Sequence, residues 1–497
     1  MAEIAAGAPS GLFFFLTGAL STPERTIHRI VWVLKVLIHG DTLCETHKPQ
    51  SRCASVRWAG FRSKVCSRWN FLAHHRHLWS RLHVHVSLDD GDVVVEEHAT
   101  EDRSCTRMAL NDEAAATSKR KTLTGINKTA MLMQHAAAIR HLRVTGGRDW
   151  TRDDPPYRDL LPVPFRHVRH LDLSHNTRLP PEVIVRLVAS QPLVQTLNLG
   201  RCAQLTDDAL RRVTESARRL REVSLAHCRL LTNASIERVA EAWRELTVLD
   251  LTGCVHVTAS AIGALVRNGA GAQLRVLRLR GVRGLSDELL ATVATHCPHL
   301  VELDASDPNP FGPMPSFATS ASTGAHRTGE KRSDYNEEED ESGGTPLSSE
   351  AITDAGVQCL ARQCPRLESL RLHAQRALTD AGMGVALAGL PNLRWLDLRH
   401  CPVGDAALAA LAASSSSSLR VLQLHRARAV TDAGVAQLRR LHNLRRVELS
   451  GSKRVSVDGL LAWLRERPVE PRLELWAGGI PSIQEMDAPP SVHVRNQ

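Results

Sequence analysis

Leu393-Arg394-Trp395-Leu396-Asp397-Leu398-Arg399-His400-Cys401 is followed at once by Pro402-Val403-Gly404-Asp405-Ala406-Ala407-Leu408. The phrase is Leu-x-x-Leu-x-Leu-x-x-Cys, then a turn, then a small apolar segment. It recurs along most of the chain. Its second leucine position is filled by Leu171, Leu197, Val223, Leu249, Leu277, Leu303, Leu370, Leu396, Leu422 and Val447. The intervals are 26, 26, 26, 28, 26, 67, 26, 26 and 25 residues. A fixed period of this length marks an array of like units, with one long interruption.

Within the phrase, Leu-x-Leu alternates across a short strand, so the leucines share one face and the residues between them the other. The ninth position holds Cys202, Cys228, Cys254 and Cys401, and elsewhere Asn176, Val282, Pro308, Gln375, Ala427 or Ser452. A small, weakly polar thiol suits a buried corner. Next comes Leu-Thr-Asp or a relative, in which Thr or Asp reads as a helix N-cap with helix-period apolar residues behind it. Each unit is therefore strand, turn and helix in about 26 residues. One such unit cannot bury its own apolar face, so units stack and share a core. The expected fold is an α/β leucine-rich repeat solenoid over residues 129–476, with short parallel strands on the concave face and helices on the convex face.

The ninth-position cysteines, the Leu-Thr-Asp turns and the Cys-Pro pairs (Cys297-Pro298, Cys364-Pro365) resemble the cysteine-containing leucine-rich repeats of F-box/LRR proteins. A second segment points the same way. In residues 61–86, Val65, Cys66, Trp69 and Leu72, then Leu78 and Trp79, fit two short helices joined by a polar corner. Val-Cys-x-x-Trp-x-x-Leu followed by Leu-Trp-x-x-Leu resembles the second half of an F-box. No Leu-Pro dipeptide, the usual F-box opening, occurs in the first 60 residues. The resemblance implies a substrate-recognition subunit of an SCF-type (cullin–RING) ubiquitin ligase. Val65, Cys66, Trp69, Leu72, Leu78 and Trp79 would meet a Skp-type adaptor and its cullin. The alternative is a leucine-rich scaffold or regulatory protein without a ligase.

The chain has 497 residues, 43% hydrophobic but only 4% aromatic, so the expected core is built of Leu, Val, Ala and Cys. Its 11 cysteines include no Cys-x-x-Cys pair, which argues for reduced thiols in a cytoplasmic or nuclear protein. The net charge is +9. Residues 306–349 carry three Lys/Arg and eight Asp/Glu, a net of −5 that leaves +14 elsewhere. Without a basic run interleaved with aromatics, that charge does not point to nucleic acid, nor does any segment point to a membrane.

Residues 1–60 are the least legible. Residues 11–16 are apolar but preceded by Glu3 and by no Lys or Arg, which speaks against a secretory signal, and residues 27–38 read as an amphipathic helix. His74, His75, His77, His83 and His85 read as a solvated corner rather than a metal site, and no cofactor is expected. Residues 87–128 read as a linker and 129–138 as a helix. Residues 139–144 read as a first strand capping the array's exposed end. The Pro/Ser/Thr/Gly-rich insert at 306–349 reads as a disordered acidic loop, and residues beyond 477 as a polar tail.

Residues flanking the strand leucines should project from the concave face. In the later repeats these include Arg278, Arg280, Arg371, His373, Trp395, Arg399, His400, His425 and Arg426. A cationic surface with one Trp fits a protein substrate that is acidic or phosphorylated. No Gly-rich phosphate loop, Gly-x-Ser-x-Gly or His-Glu-x-x-His occurs, so a non-catalytic adaptor is expected rather than an enzyme.

Overall fold

In the computed structural model, the described residues are 82–87, 93–97, 121–123, 136–146, 165–307, 351–414, 418–467, 471–480, 483, 489 and 491–495. All of them belong to one of two compact units, His75–Gln497; the other, Met1–His74, lies outside the described residues. So do the F-box-like positions Val65 to Trp79, the amphipathic stretch at 27–38 and residues 308–350 of the insert.

Ten helices alternate with the strands of a single unclosed, curved sheet, the leucine-rich solenoid expected. Strands β5 to β14 are His170–Asp172, Thr196–Asn198, Glu222–Ser224, Val248–Asp250, Val276–Arg278, Glu302–Asp304, Ser369–Arg371, Trp395–Asp397, Val421–Gln423 and Arg446–Glu448. All pair in parallel, and their central residues run in one column from Leu171 to Val447. Three apolar columns, such as Leu393, Leu396 and Leu398 within one repeat, are at most 1% exposed. Burying one such leucine contributes roughly 1.5–3 kcal/mol.

The helices are α1 (Pro181–Ala189), α2 (Asp207–Ser216), α3 (Asn233–Ala242), α4 (Ala259–Arg267), α5 (Asp287–His296), α6 (Asp354–Gln363), α7 (Asp380–Ala388), α8 (Asp405–Ser414), α9 (Asp432–Gln437) and α10 (Val457–Arg465). Thr206, Thr232, Thr353, Thr379, Thr431 and Ser456 each cap a helix start, the hydroxyl accepting from a backbone N–H two or three residues on. The Asp after the threonine has another role. It accepts hydrogen bonds from the cap of the following repeat, as Asp405 does from Thr431 N–H at 2.9 Å and Thr431 hydroxyl at 2.6 Å. The longest regular interval, 28 residues, is absorbed by a 3₁₀ turn at Ala270–Gln273 entered through Gly269 at φ 97°.

The ninth-position thiols bind repeat to repeat. Cys202, Cys228, Cys254 and Cys401 donate to the carbonyls of Leu173, Leu199, Leu225 and Leu372 at 3.0–3.1 Å. Asn176 and Gln375 substitute an amide for the thiol, donating to Val144 and Ala305 O at 2.7 and 2.8 Å.

Both ends differ from expectation. Leu82–Ser87, placed in the helical segment, is strand β1; Val93–Glu97 and Lys121–Leu123, placed in the linker, are β2 and β3. β1 runs parallel to β4 (His141–Thr145) and antiparallel to β2, which pairs antiparallel with β3. The alternation of Val84 and Val86 and the β-branched run Val93-Val94-Val95 favour extended chain. They pair an edge that β4 would otherwise leave open, so residues 139–144 do not end the sheet. At the other end, β15 (Leu473–Trp476) is followed in the expected tail by β16 (Val492–Arg495), again parallel.

Candidate binding surface on the strand face

Arg278 and Arg371, at the same position of successive repeats, both reach Glu302. Arg278 Nε lies 2.8 Å and one terminal nitrogen of Arg371 3.0 Å from Glu302 Oε1. Asp250 stands 3.6 Å from Arg278 and Asp304 3.8 Å from Arg371. Arg278 is 4% exposed and Glu302 1%, so both charges are held by each other rather than by water. Burial pushes the Asp304 carboxyl above its ordinary range, with Ser306 and Arg371 pulling it back.

One repeat on, the Arg371 guanidinium lies over the Trp395 ring at 5.1 Å from its centre. Arg399 forks onto Asp397 with contacts of 2.9 and 2.7 Å. His373, His400 and His425 form a column of tilted rings with centres 5.2 and 5.1 Å apart. Burial first, then Arg399, Arg280 and His400, push His373 down to about 4 against the pull of Asp397. His400 and His425 are lowered too, chiefly by burial and then by cationic neighbours, Glu448 opposing the shift at His425.

The structure brings the expected residues onto one strip but gives them unequal parts. Arg278 and His373 are buried, so neither presents a free charge to a partner. Arg371 and Arg399 are half-buried and neutralised from within. Arg280, Trp395, His400 and His425 are half-buried and Arg426 is exposed. The strip is thus a locked platform: three guanidinium groups, of Arg278, Arg371 and Arg399, stand among the carboxylates of Asp250, Glu302, Asp304 and Asp397. Glu302 escaped sequence reasoning because its column otherwise holds Val276 and Ser369. The signal lay on the diagonal, an acid between arginines of the repeats before and after.

At the rim, the residue before the ninth position is left-handed in repeat after repeat. Gly253, Gly281 and Gly451 take it freely, yet His175, Arg201, His227, Ala374, His400 and Arg426 occupy it at φ 55–65°. A non-glycine residue there costs on the order of 1 kcal/mol, so His400 and Arg426 hold the rim under strain.

The family model described as Leucine Rich repeat matches residues 389–412. The chain is a leucine-rich repeat protein. It is 38% identical over 93 residues to the Antagonist of mitotic exit network protein 1 of Eremothecium gossypii, a match covering 18% of this chain and 24% of that protein. Among solved structures it resembles the Rad7 and Elc1 complex of yeast, at 16% identity and a TM-score of 0.39, covering 65% of this chain and 86% of that one. It also resembles an internalin of Listeria monocytogenes, at 14% identity and a TM-score of 0.38, covering 68% and 81%. Among the described residues, no helix of this leucine-rich repeat protein is long and apolar enough to cross a membrane, and no His/Cys/Asp/Glu group is arranged to hold a metal.

Proposed function

We propose that this leucine-rich repeat protein holds a polypeptide against the strand face of repeats β9 to β14, and that it does so as the substrate-recognition subunit of a cullin–RING ubiquitin ligase. The observation that carries the binding role is the platform around Glu302. Its Arg, Trp and Asp side chains are fixed by one another before any partner arrives, so little side-chain freedom remains to be lost. Trp395, with Arg280 beside it, supplies the aromatic and guanidinium anchors that dominate such surfaces.

The ligase role is supported by sequence. Val65, Cys66, Trp69, Leu72, Leu78 and Trp79 resemble the adaptor-binding half of an F-box, ahead of repeats whose cysteines occupy the same inter-repeat corner four times. In this role the chain supplies proximity and the chemistry occurs on other subunits. Its buried, reduced thiols suit a cytoplasmic or nuclear site. The missing Leu-Pro opening favours the second reading, a scaffold without a ligase. Pull-down with a purified Skp-type adaptor and cullin tests the choice. Binding by the full chain, lost in a Trp69→Ala/Trp79→Ala variant, is expected; no binding by either leaves the scaffold.

A further inference from the structure

At the rim of the same platform, a cleft of about 460 Å³ is lined by Arg376, His400, Cys401, Pro402, Arg426, Arg428 and Ala429. Its origin is visible in the repeat. The position after the ninth residue holds Arg376, Pro402 and Arg428 in three successive units. A short proline ring between two long arginines leaves a notch with a guanidinium on either side. The left-handed residues of the second and third units, His400 and Arg426, supply the remaining cationic walls.

The charge balance here is the reverse of that on the platform. There, each guanidinium has a carboxylate within 4 Å. The cleft has three guanidinium groups and an imidazole, and none of the described residues lining it is acidic. Positive neighbours, His425, Arg426 and Arg399, add to burial in disfavouring a proton on His400. An incoming dianion would lift that opposition. Guanidinium groups converging from several directions match the three oxygens of a phosphate monoester better than the two of a carboxylate.

We propose that this cleft is the receptor for a phosphorylated serine or threonine of the protein partner, with Arg376, Arg426 and Arg428 gripping the phosphate and His400 donating to it. The inference rests on the polypeptide-binding reading of the strand face and is independent of the ligase reading. A chain lying along β11 to β13 passes His373 and His425, whose sequence neighbours form this rim, so one modified side chain reaches the notch without leaving the platform. Arg278, Arg371 and Arg399, committed to their own carboxylates, are not needed for it.

The test is fluorescence anisotropy on the full chain with two labelled peptides of neutral sequence, identical except for phosphoserine against serine. Saturable binding at least about tenfold tighter for the phosphopeptide is expected, with that preference abolished by Arg376→Gln/Arg428→Gln and by Pro402→Gln, which fills the notch and keeps every charge. Equal binding of the two peptides, or an unchanged preference in both variants, would overturn the proposal. So would inorganic phosphate competing as well as the phosphopeptide, which would make the site one for a free anion. A single-stranded oligonucleotide displacing the peptide at lower concentration would likewise assign the cleft to nucleic acid. Loss of partner binding in Trp395→Ala together with full binding in Arg376→Gln/Arg428→Gln would sink the phosphate site and leave the platform standing.

Discussion

Asp354, the first residue of one helix, accepts two hydrogen bonds from Thr379 of the next repeat, from its N–H at 2.9 Å and its hydroxyl at 2.6 Å. Asp207 with Thr232, Asp287 with Thr353, Asp405 with Thr431 and Asp432 with Ser456 repeat the arrangement. A single threonine thus starts its own helix and receives the preceding one, so each joint is specified twice. At Asp207 the hydroxyls of Ser235 and Thr232 hold the carboxyl below its ordinary range although burial pushes the other way.

Glycine is required where this carboxylate lies against the next helix. A Cβ at Gly434 would stand 2.1 Å from Asp405 Oδ1, and one at Gly382 2.0 Å from Asp354 Oδ2. Alanine in a helix ordinarily gains about 1 kcal/mol over glycine. Here Gly434→Ala is expected to destabilise by roughly 1–3 kcal/mol, because the carboxylate must leave its partners. A urea midpoint at or above that of the wild type would refute the argument.

Removing Glu302 strands Arg278 and Arg371. Glu302→Ala is expected to cost roughly 3–5 kcal/mol, read as a lowered thermal midpoint. Restoring the balance with Arg278→Met in the same chain should recover part of the loss. Additive losses in the double variant would mean that the two groups are not coupled.

Acid should weaken the array through His373. Its ordinary value is 6.5 and its folded value about 4, so the unfolded chain binds the proton more readily between those limits. Stability is therefore intact above pH 6.5 and falls as the pH drops through the window, by roughly 3 kcal/mol for this residue. Denaturant unfolding of the wild type and His373→Gln at pH 7.5 and 4.5 checks it. The variant should show the shallower acid loss, and equal losses would remove His373 as the cause.

The thiols should divide by reactivity. Burial, which outweighs every other influence, raises Cys202 and Cys401 to about 12, whereas Cys359 is only half-buried. Iodoacetamide at pH 8, read peptide by peptide, should label Cys359 in the folded chain and Cys202, Cys228, Cys254 and Cys401 only after denaturation. Early labelling of Cys401 would contradict its place in the core.

The apolar columns were legible because the period of 26 prints each of them many times over, and the capping threonines because their motif is local. What lies between repeats was harder to read. Thr and Asp looked like alternative caps of one helix, since the partner of the Asp stands some 25 residues away. The Arg and His residues of the strand face were found, but their charge was read without the diagonal acids that cancel most of it. The left-handed rim left a trace only where glycine occupies it, as at Gly253, Gly281 and Gly451. Strands β1 to β3 belong to no period, and a short valine run is a weak signal without its partner strand.

β10 pairs with β11 in the same register as every other neighbour, although Leu303 and Leu370 are 67 residues apart rather than 26. The consequence concerns the order of folding events. β4 to β10 and β11 to β16 can each propagate through near-neighbour contacts, but uniting them closes a longer loop. The logarithmic dependence on length makes that closure about 0.8 kcal/mol costlier in entropy than an ordinary joint. The β10–β11 seam is then the last to zip and the first to part, and a chain emerging from the ribosome would complete the N-terminal half-array before the platform at Glu302 could assemble across it.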